Sequence, residues 1–354
     1  MHKIILTGGG TAGHVSPNLA LVPQLQKAGW EVEYVGSQTG IERQLVINAK
    51  LPYHAIASGK LRRYFDWQNF TDPFKVIKGI ADAYGVLAKV KPNLVFSKGG
   101  FVTVPVVVAA RLQGIPIIIH ESDFSPGLAN RLALPFATKV CVTFPETQKF
   151  IPKAICTGLP IRPEILAGDR AQGEKICGFD KNLPVLLCIG GSLGSAQLNQ
   201  AVRQILPQLL EQYQVVHLCG QGNIDPSLTG RSGYVQFEYL HQDLAHIYAL
   251  ADLVVSRAGA NVIFELLALA KPHLLIPLSR KSSRGDQILN ANSFVAQGYS
   301  RVLTEEQLEP EHLLQAIADL NRDQLSLTAA MKAGGDISSI DKIIQLIHQT
   351  VQLR

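Results

Sequence analysis

Short apolar runs recur along the 354-residue chain, each giving way to glycine or polar residues and then to a stretch with helical periodicity. In the first half the runs fall at residues 3–7, 53–57, 94–97, 115–119 and 139–142; in the second they fall at 185–189, 215–218, 235–237, 253–255 and 273–276. Runs this short and continuous predict strands covered on both faces, and strands alternating with helical sequence predict parallel, doubly wound sheets. Helices are expected over residues 17–28, 197–209 and 260–270, and the chain from residue 311 onward reads as mostly helical. Near its end Ile340, Ile343, Ile344, Ile347 and Val351 fall on one helical face, so that helix needs an apolar partner. The proline-bracketed segment Thr157-Gly158-Leu159-Pro160-Ile161-Arg162-Pro163 reads as a stiff crossover between two domains. The organisation expected is therefore an α/β chain of two doubly wound domains, residues 1–160 and 161–336, with a terminal helix in 337–354 that returns to the first.

In sheets of this kind ligands bind outside the carboxyl ends of the strands, so the polar clusters that follow the runs are the candidate chemistry. The fullest of them is residues 256–290, SRAGANVIFELLALAKPHLLIPLSRKSSRGDQILN. A strand leaves through the tight turn Arg257-Ala258-Gly259 into a helix whose N-terminal N–H groups favour an anion such as a phosphate. A second strand and the loop 277–285 then open another helix carrying Asp286, Gln287 and Asn290. Glu265 lies mid-helix between Phe264 and Leu266, where it is either an ordinary solvated glutamate or a group delivered to the same edge.

Near the start, Gly8-Gly9-Gly10-Thr11-Ala12-Gly13-His14 follows the first strand, and Gly8, Gly10 and Gly13 satisfy GxGxxG. A nicotinamide dinucleotide site also requires an acidic residue at the end of the second strand to hold the ribose. That end reads Val35-Gly36-Ser37-Gln38 and Glu33 is mid-strand, which disfavours a dinucleotide and leaves a loop that admits a phosphate or sugar close to the backbone. Gly190-Gly191-Ser192-Leu193-Gly194-Ser195 repeats the arrangement in the second half. Ser97-Lys98-Gly99-Gly100 and His120-Glu121-Ser122-Asp123 end two further strands, either as caps and turns or, with His14, as one wall of a cleft.

Composition narrows the classes. With 47% hydrophobic and 17% charged residues the chain is globular and long enough for two substantial cores. A formal net charge of +5 without a long basic block disfavours nucleic acid and suits an anionic small molecule or membrane surface. Cys141, Cys156, Cys177, Cys188 and Cys219 are scattered without a CxxC pair, which reads as reduced thiols in a cytoplasmic protein with no metal site. The first residues MHKIILTGGG enter a strand at once and no apolar run approaches a spanning helix, so no signal peptide is expected and any membrane contact is peripheral. Leu61-Arg62-Arg63-Tyr64-Phe65-Asp66-Trp67, followed by Phe70, Phe74, Lys75, Ile77 and Lys78, mixes basic, aromatic and apolar residues as a lipid-headgroup interface does. A loop packed on its own core is the alternative.

Taken together and in order, TGGGTAGH, SKGGF, HESD..PGLAN, GGSLG, and SRAG...E with DQ..N resemble the MurG family of peripheral membrane glycosyltransferases over essentially the whole chain. The resemblance implies the GT-B fold, two Rossmann-like domains with a cleft between them. It implies inverting transfer of N-acetylglucosamine from UDP-N-acetylglucosamine to undecaprenyl-diphosphate-linked muramyl pentapeptide, with no cofactor and no metal, at the cytoplasmic side of the cell membrane. Same-fold and different-class alternatives are a UDP-N-acetylglucosamine 2-epimerase and a non-catalytic nucleotide-sugar-binding protein. Carried over by position, Thr11, Ala12 and Gly13 approach the donor sugar and the acceptor pyrophosphate, and His14 is a candidate general base. Arg162 and Ser192 match donor-touching positions, Leu240 one whose backbone reads uracil, Glu265 one that grips the ribose hydroxyls, and Gln287 one that binds the sugar hydroxyls. The chain departs from the family's pattern at Asp123, which stands where an amide is usual and is a second candidate base, at Asp286 before Gln287, and in a longer loop after Pro277. An anionic membrane surface is the partner implied for Arg62, Arg63 and Trp67.

Overall fold

The computed structural model describes residues 2–59, 68–179, 183–191, 194–335 and 338–352. The chain divides into two compact units, Met1–Arg162 with Ile337–Arg354, and Pro163–Asp336.

In unit 1 the strands are β1 (His2–Thr7), β2 (Trp30–Ser37), β3 (Tyr53–Ile56), β4 (Leu94–Ser97), β5 (Ile117–Glu121), β6 (Lys139–Val142) and β7 (Ile155–Cys156). Among the described residues they form one sheet in the order β3-β2-β1-β4-β5-β6-β7, every neighbouring pair parallel. Ile4, Ile5, Leu6, Val95, Phe96, Ile117, Ile118 and Ile119 have no exposed surface, which is why the central strands read as unbroken apolar runs instead of alternating. Unit 2 repeats the plan with β8 (Val185–Ile189), β9 (Gln214–Leu218), β10 (Tyr234–Phe237), β11 (Leu253–Ser256), β12 (His273–Leu275) and β13 (Arg301–Val302). Their order is β10-β9-β8-β11-β12-β13, again all parallel. In both sheets the chain reverses its winding beside the first strand, between β1 and β4 and between β8 and β11. Those are the switch points at which loops diverge and leave room for a ligand.

All three helices expected with stated bounds differ from them, the third only in ending at Ala268 instead of residue 270. The first runs over Ala12–Lys27, five residues earlier than residue 17, because Gly10 at φ +86° turns the chain and Thr11 is already extended at the N-cap. Pro17 and Pro23 lie inside it, and each forfeits the N–H bond to the residue four before. The helix expected over 197–209 is broken into Ala196–Gln204 and Leu206–Leu209, since Pro207 has no N–H with which to continue the first segment. The edge strands β7 and β13 have two residues each and leave no apolar run to read.

Helix Ser339–Gln352 packs in unit 1, where Ile343, Leu346 and Ile347 join a core with Leu21, Leu25 and Trp30, and Ile340, Ile344 and Val351 pack around it. The His348 ring meets Trp30 edge-on at 5.7 Å, and the Ser339 hydroxyl donates to the Leu159 carbonyl at 2.7 Å. Full burial of Ile343 and Ile347 is worth about 1.5–3 kcal/mol each. This anchors the chain's last helix far from its neighbours in sequence.

Candidate functional site

At the switch point of unit 1 two glycine loops interlock. The Gly9 N–H donates to the Gly99 carbonyl at 3.3 Å, the Gly10 N–H to Glu42 Oε2 at 3.1 Å, and the Tyr34 hydroxyl to the Gly8 carbonyl at 2.7 Å. A Cβ on Gly100, at φ +88°, would lie 2.1 Å from the Gly9 carbonyl oxygen, and one on Gly9 would lie 2.6 Å from the Glu42 carboxyl. Glycine is thus required by the approach of one loop to the other. Glu42 is fully buried, and its second oxygen accepts from the Ser37 main chain at 3.1 Å and from the Ser37 hydroxyl. The acid near the second strand's end therefore supports the loop from within, a different task from holding a dinucleotide ribose. Thr11, exposed, and Ala12, Gly13 and His14, half-buried, form the first turn of helix Ala12–Lys27, at the positive end of its dipole. The Thr11 hydroxyl and His14 Nδ1 are hydrogen-bonded at 3.1 Å.

The second cluster of unit 1 follows β5. Glu121 is buried, and its carboxylate accepts the Asp123 N–H at 3.0 Å, the Gly127 N–H at 2.9 Å and the Asn130 amide at 2.8 Å. Much of the HESD..PGLAN motif is accounted for by this clamp, which fixes the loop carrying half-buried Ser122 and Asp123. Beneath it Lys98 Nζ donates to His120 Nδ1 at 2.7 Å and to the Ser122 hydroxyl, and His120 Nε2–H donates to the Gly158 carbonyl at 2.9 Å. Burial drives the His120 imidazole well below its ordinary value, and the Lys98 ammonium pushes the same way. His120 is therefore a neutral ring with its proton on Nε2. Arg162, half-buried, is the last residue of unit 1 before the crossover leaves it.

Unit 2 delivers its candidates from four strand ends. Glu265, on helix Ala260–Ala268 after β11, is 9% exposed and accepts from the buried Tyr248 hydroxyl at 3.1 Å. It is not a solvated glutamate. Gln287, in helix Asp286–Ala296 after β12, turns its Oε1 back to accept the Leu278 N–H at 3.1 Å, while Asp286 pairs with Arg284 at 3.4 Å. Buried Asn290 donates to the Ala258 carbonyl at 3.1 Å, so it braces the turn after β11. Leu240 is half-buried in the loop after the edge strand β10. Ser192 lies outside the described residues, between Gly191 at φ +90° and Gly194 at φ +77°. A Cβ on Gly194 would lie 2.1 Å from the Cys219 carbonyl oxygen, so that loop too depends on glycine.

Arg257 ties these strand ends together. It is 7% exposed and donates to the Ile276 carbonyl at 3.1 Å, the Ser195 hydroxyl at 2.5 Å and Glu305 Oε1 at 2.5 Å. Ser195 in turn caps helix Ala196–Gln204, and Glu305 Oε2 accepts the Ser279 N–H at 3.0 Å. Burial works to raise the Glu305 carboxyl, but the Ser279 N–H and the Arg257 guanidinium outweigh it and hold the group below its usual range. The turn after β11 is thus fixed by a buried ion pair at the edge where a helix N-terminus favours an anion.

Residues 4–142 match the glycosyltransferase family 28 N-terminal domain and residues 185–347 match the glycosyltransferase family 28 C-terminal domain. A relative from Clostridium kluyveri, named UDP-N-acetylglucosamine--N-acetylmuramyl-(pentapeptide) pyrophosphoryl-undecaprenol N-acetylglucosamine transferase, is 59% identical over 351 residues, covering 99% of each chain. The crystal structure of Acinetobacter baumannii MurG matches at 26% identity with a TM-score of 0.77, over 99% of this chain and 100% of that one. The chain belongs to the MurG family. Its fold is accordingly GT-B, two parallel-sheet α/β units. The UDP-GlcNAc 2-epimerase from Neisseria meningitidis shares the fold, with a TM-score of 0.71 over 99% of this chain and 100% of that one, at 14% identity. At that identity the likeness extends to the fold alone, and family membership favours the MurG transferases over the epimerases.

Glu42, Lys98 with His120, and Arg257 with Glu305 did not emerge as site residues from the sequence. Lys98, His120 and Arg257 stand in the strand-end clusters already singled out, so their position was available as a signal. Glu42 and Glu305 had none, being surrounded by ordinary polar sequence.

Proposed function

We propose that this chain transfers N-acetylglucosamine from UDP-N-acetylglucosamine, with inversion at C1, to undecaprenyl-diphosphate-linked muramyl pentapeptide. The observation that carries the proposal is the 59% identity, over 99% of each chain, to the C. kluyveri protein named for that transfer. The acceptor hydroxyl oxygen forms the new bond to C1, the bond from C1 to the diphosphate oxygen breaks, UDP leaves with the negative charge, and the hydroxyl proton passes to a base.

His14 is our first candidate for that base. When Nδ1–H donates to the Thr11 hydroxyl at 3.1 Å, the imidazole lone pair is on Nε2, the form that accepts a proton. Asp123, held by its main chain to Glu121, is the second. For the donor, the buried Glu265 carboxylate suits a pair of ribose hydroxyls, the main chain at Leu240 uracil, and Gln287 the sugar hydroxyls, its Oε1 tied to Leu278 and its amide left to donate. Arg162, Ser192, the glycine loops and the helix N-termini supply donors and positive potential for the diphosphate. Thr11, Ala12 and Gly13 offer a main chain that a sugar or pyrophosphate can approach closely.

We assign the chain to the cytoplasmic face of the membrane as a peripheral protein. No helix among the described residues is long and apolar enough to cross a bilayer. Arg62, Arg63 and Trp67 lie outside the described residues, but helix Gln68–Val90 that follows them exposes Phe74 (74%) and Ile77 (65%) beside exposed Lys78, an apolar and basic stripe suited to anionic headgroups. Replacing Arg62, Arg63 and Trp67 together is expected to release the protein from anionic vesicles and to leave transfer to a water-soluble acceptor analogue nearly intact. Each basic residue contributes about 1 kcal/mol at such a surface, screened by salt. Co-sedimentation at low and high salt measures it, and a triple variant that sediments like wild type contradicts the assignment.

The reaction itself is tested by incubating the protein with UDP-N-acetylglucosamine, with and without acceptor. Product that forms only with the acceptor supports transfer, whereas a new UDP-sugar formed without it indicates an epimerase.

A further inference from the structure

Lys98 is 1% exposed at the end of β4, where an apolar side chain of the same length would cost nothing to bury and an ammonium costs several kcal/mol unless compensated. Several polar groups face it. His120 Nδ1 and the Ser122 hydroxyl accept from its Nζ, and the carboxylates of Glu121 at the end of β5 and Asp123 after it, with the Cys141 thiol of β6, act on it electrostatically. Burial lowers the ammonium from its ordinary 10.5 to about 7, the largest effect, against which those acidic groups work. Perturbed titratable groups cluster at functional sites.

The geometry gives it a task. The loop after β5 is clamped on one side by Glu121, which takes the main-chain N–H groups of Asp123 and Gly127. That clamp leaves Ser122 to Lys98, which in turn is braced by His120 against the Gly158 carbonyl at the start of the crossover. We propose that Lys98 is a positioning residue for sugar transfer: through Ser122 and His120 it locks the loop that carries Asp123 and so sets where that carboxylate meets the acceptor. This rests on the transferase function proposed above and on Asp123 taking part in it.

The test uses the full-length protein and a soluble lipid-linked muramyl pentapeptide analogue. Lys98→Met is expected to lower kcat about 10- to 100-fold, the scale of an ångström-sized misplacement, with UDP affinity by calorimetry within about twofold of wild type, because Glu265 and Leu240, proposed for the ribose and uracil, belong to unit 2. Lys98→Met combined with Asp123→Asn is expected to be little slower than the slower single variant, since both act on one contact. Ser122→Ala, which leaves the lysine in place, is expected to lower kcat in the same direction. Thermal melting between pH 6 and 9 checks the burial independently. Because the unfolded chain keeps its Lys98 proton up to about pH 10.5 and the folded one releases it near 7, wild-type stability gains on that of Lys98→Met as pH rises through this window. A Lys98→Met or Ser122→Ala variant with wild-type kcat overturns the proposal, as does a double variant showing the product of the two single effects, or a variant in which kcat and UDP affinity fall together. Wild-type protein that transfers no sugar overturns the transferase function itself, and this inference with it.

Discussion

Alanine at His14 is expected to slow transfer by about 10² to 10⁴-fold, the usual contribution of a general base, and to leave UDP binding close to wild type. The separation follows from position: His14 stands in the first turn of the helix after β1, in unit 1, while Glu265 and Gln287 belong to unit 2. The Thr11 hydroxyl, bonded to Nδ1 at 3.1 Å, orients the ring, so Thr11→Val should reproduce part of the loss. Asp123→Asn is the matching test of the second candidate. Its main-chain bond to Glu121 survives the substitution, so a fall in kcat reports the lost charge and not a displaced loop. Single-turnover rates with saturating donor measure both variants, and near-normal rates in both would remove each of them from the role of base.

For Glu265→Ala the expected change is in affinity. In the role proposed for Glu265 a ribose hydroxyl pair loses a charged acceptor, worth about 1.5–3 kcal/mol, which is roughly a 10- to 150-fold rise in the UDP dissociation constant. The Tyr248 hydroxyl also loses the partner it has at 3.1 Å, so the variant is expected to melt somewhat earlier. Glu265→Gln separates the two effects, because the amide oxygen still accepts from Tyr248 while the charge is gone. Unchanged UDP affinity by calorimetry in Glu265→Ala means that the donor does not bind at this helix.

Much of this architecture was legible because a parallel sheet buries both faces of its strands. The runs at 94–97, 139–142 and 185–189 coincide with β4, β6 and β8, and the glycine cluster after β4 is where the two loops of unit 1 interlock. Helix starts were less legible. Pro17 resembles a first-turn proline, yet the helix had already begun at Ala12, since the turn is made by the conformation of Gly10 and not by the proline. The supports of the site were least legible of all, because their partners are far away in the chain. Gly10 is held by Glu42, Lys98 by His120, Ala258 by Asn290 and Arg257 by Glu305. Each pair is a polar residue buried against a partner that only the strand order brings near, and hydropathy carries no information about such distances. Glu265 shows the same limit from the other side. Its neighbours Phe264 and Leu266 allowed a solvated glutamate, and only the packing of Tyr248 against it reveals a buried carboxylate.

The most direct test of the central claim is to incubate the purified protein with UDP-N-acetylglucosamine labelled in the sugar and a lipid-linked muramyl pentapeptide acceptor, and to follow the label into the lipid-extractable fraction. A labelled disaccharide with a β linkage, inverted from the α-linked donor, is expected in amounts equal to the UDP released. Label that stays in water-soluble UDP-sugar while UDP-N-acetylglucosamine binds with normal affinity, or a lipid product that retains the α configuration, would contradict it.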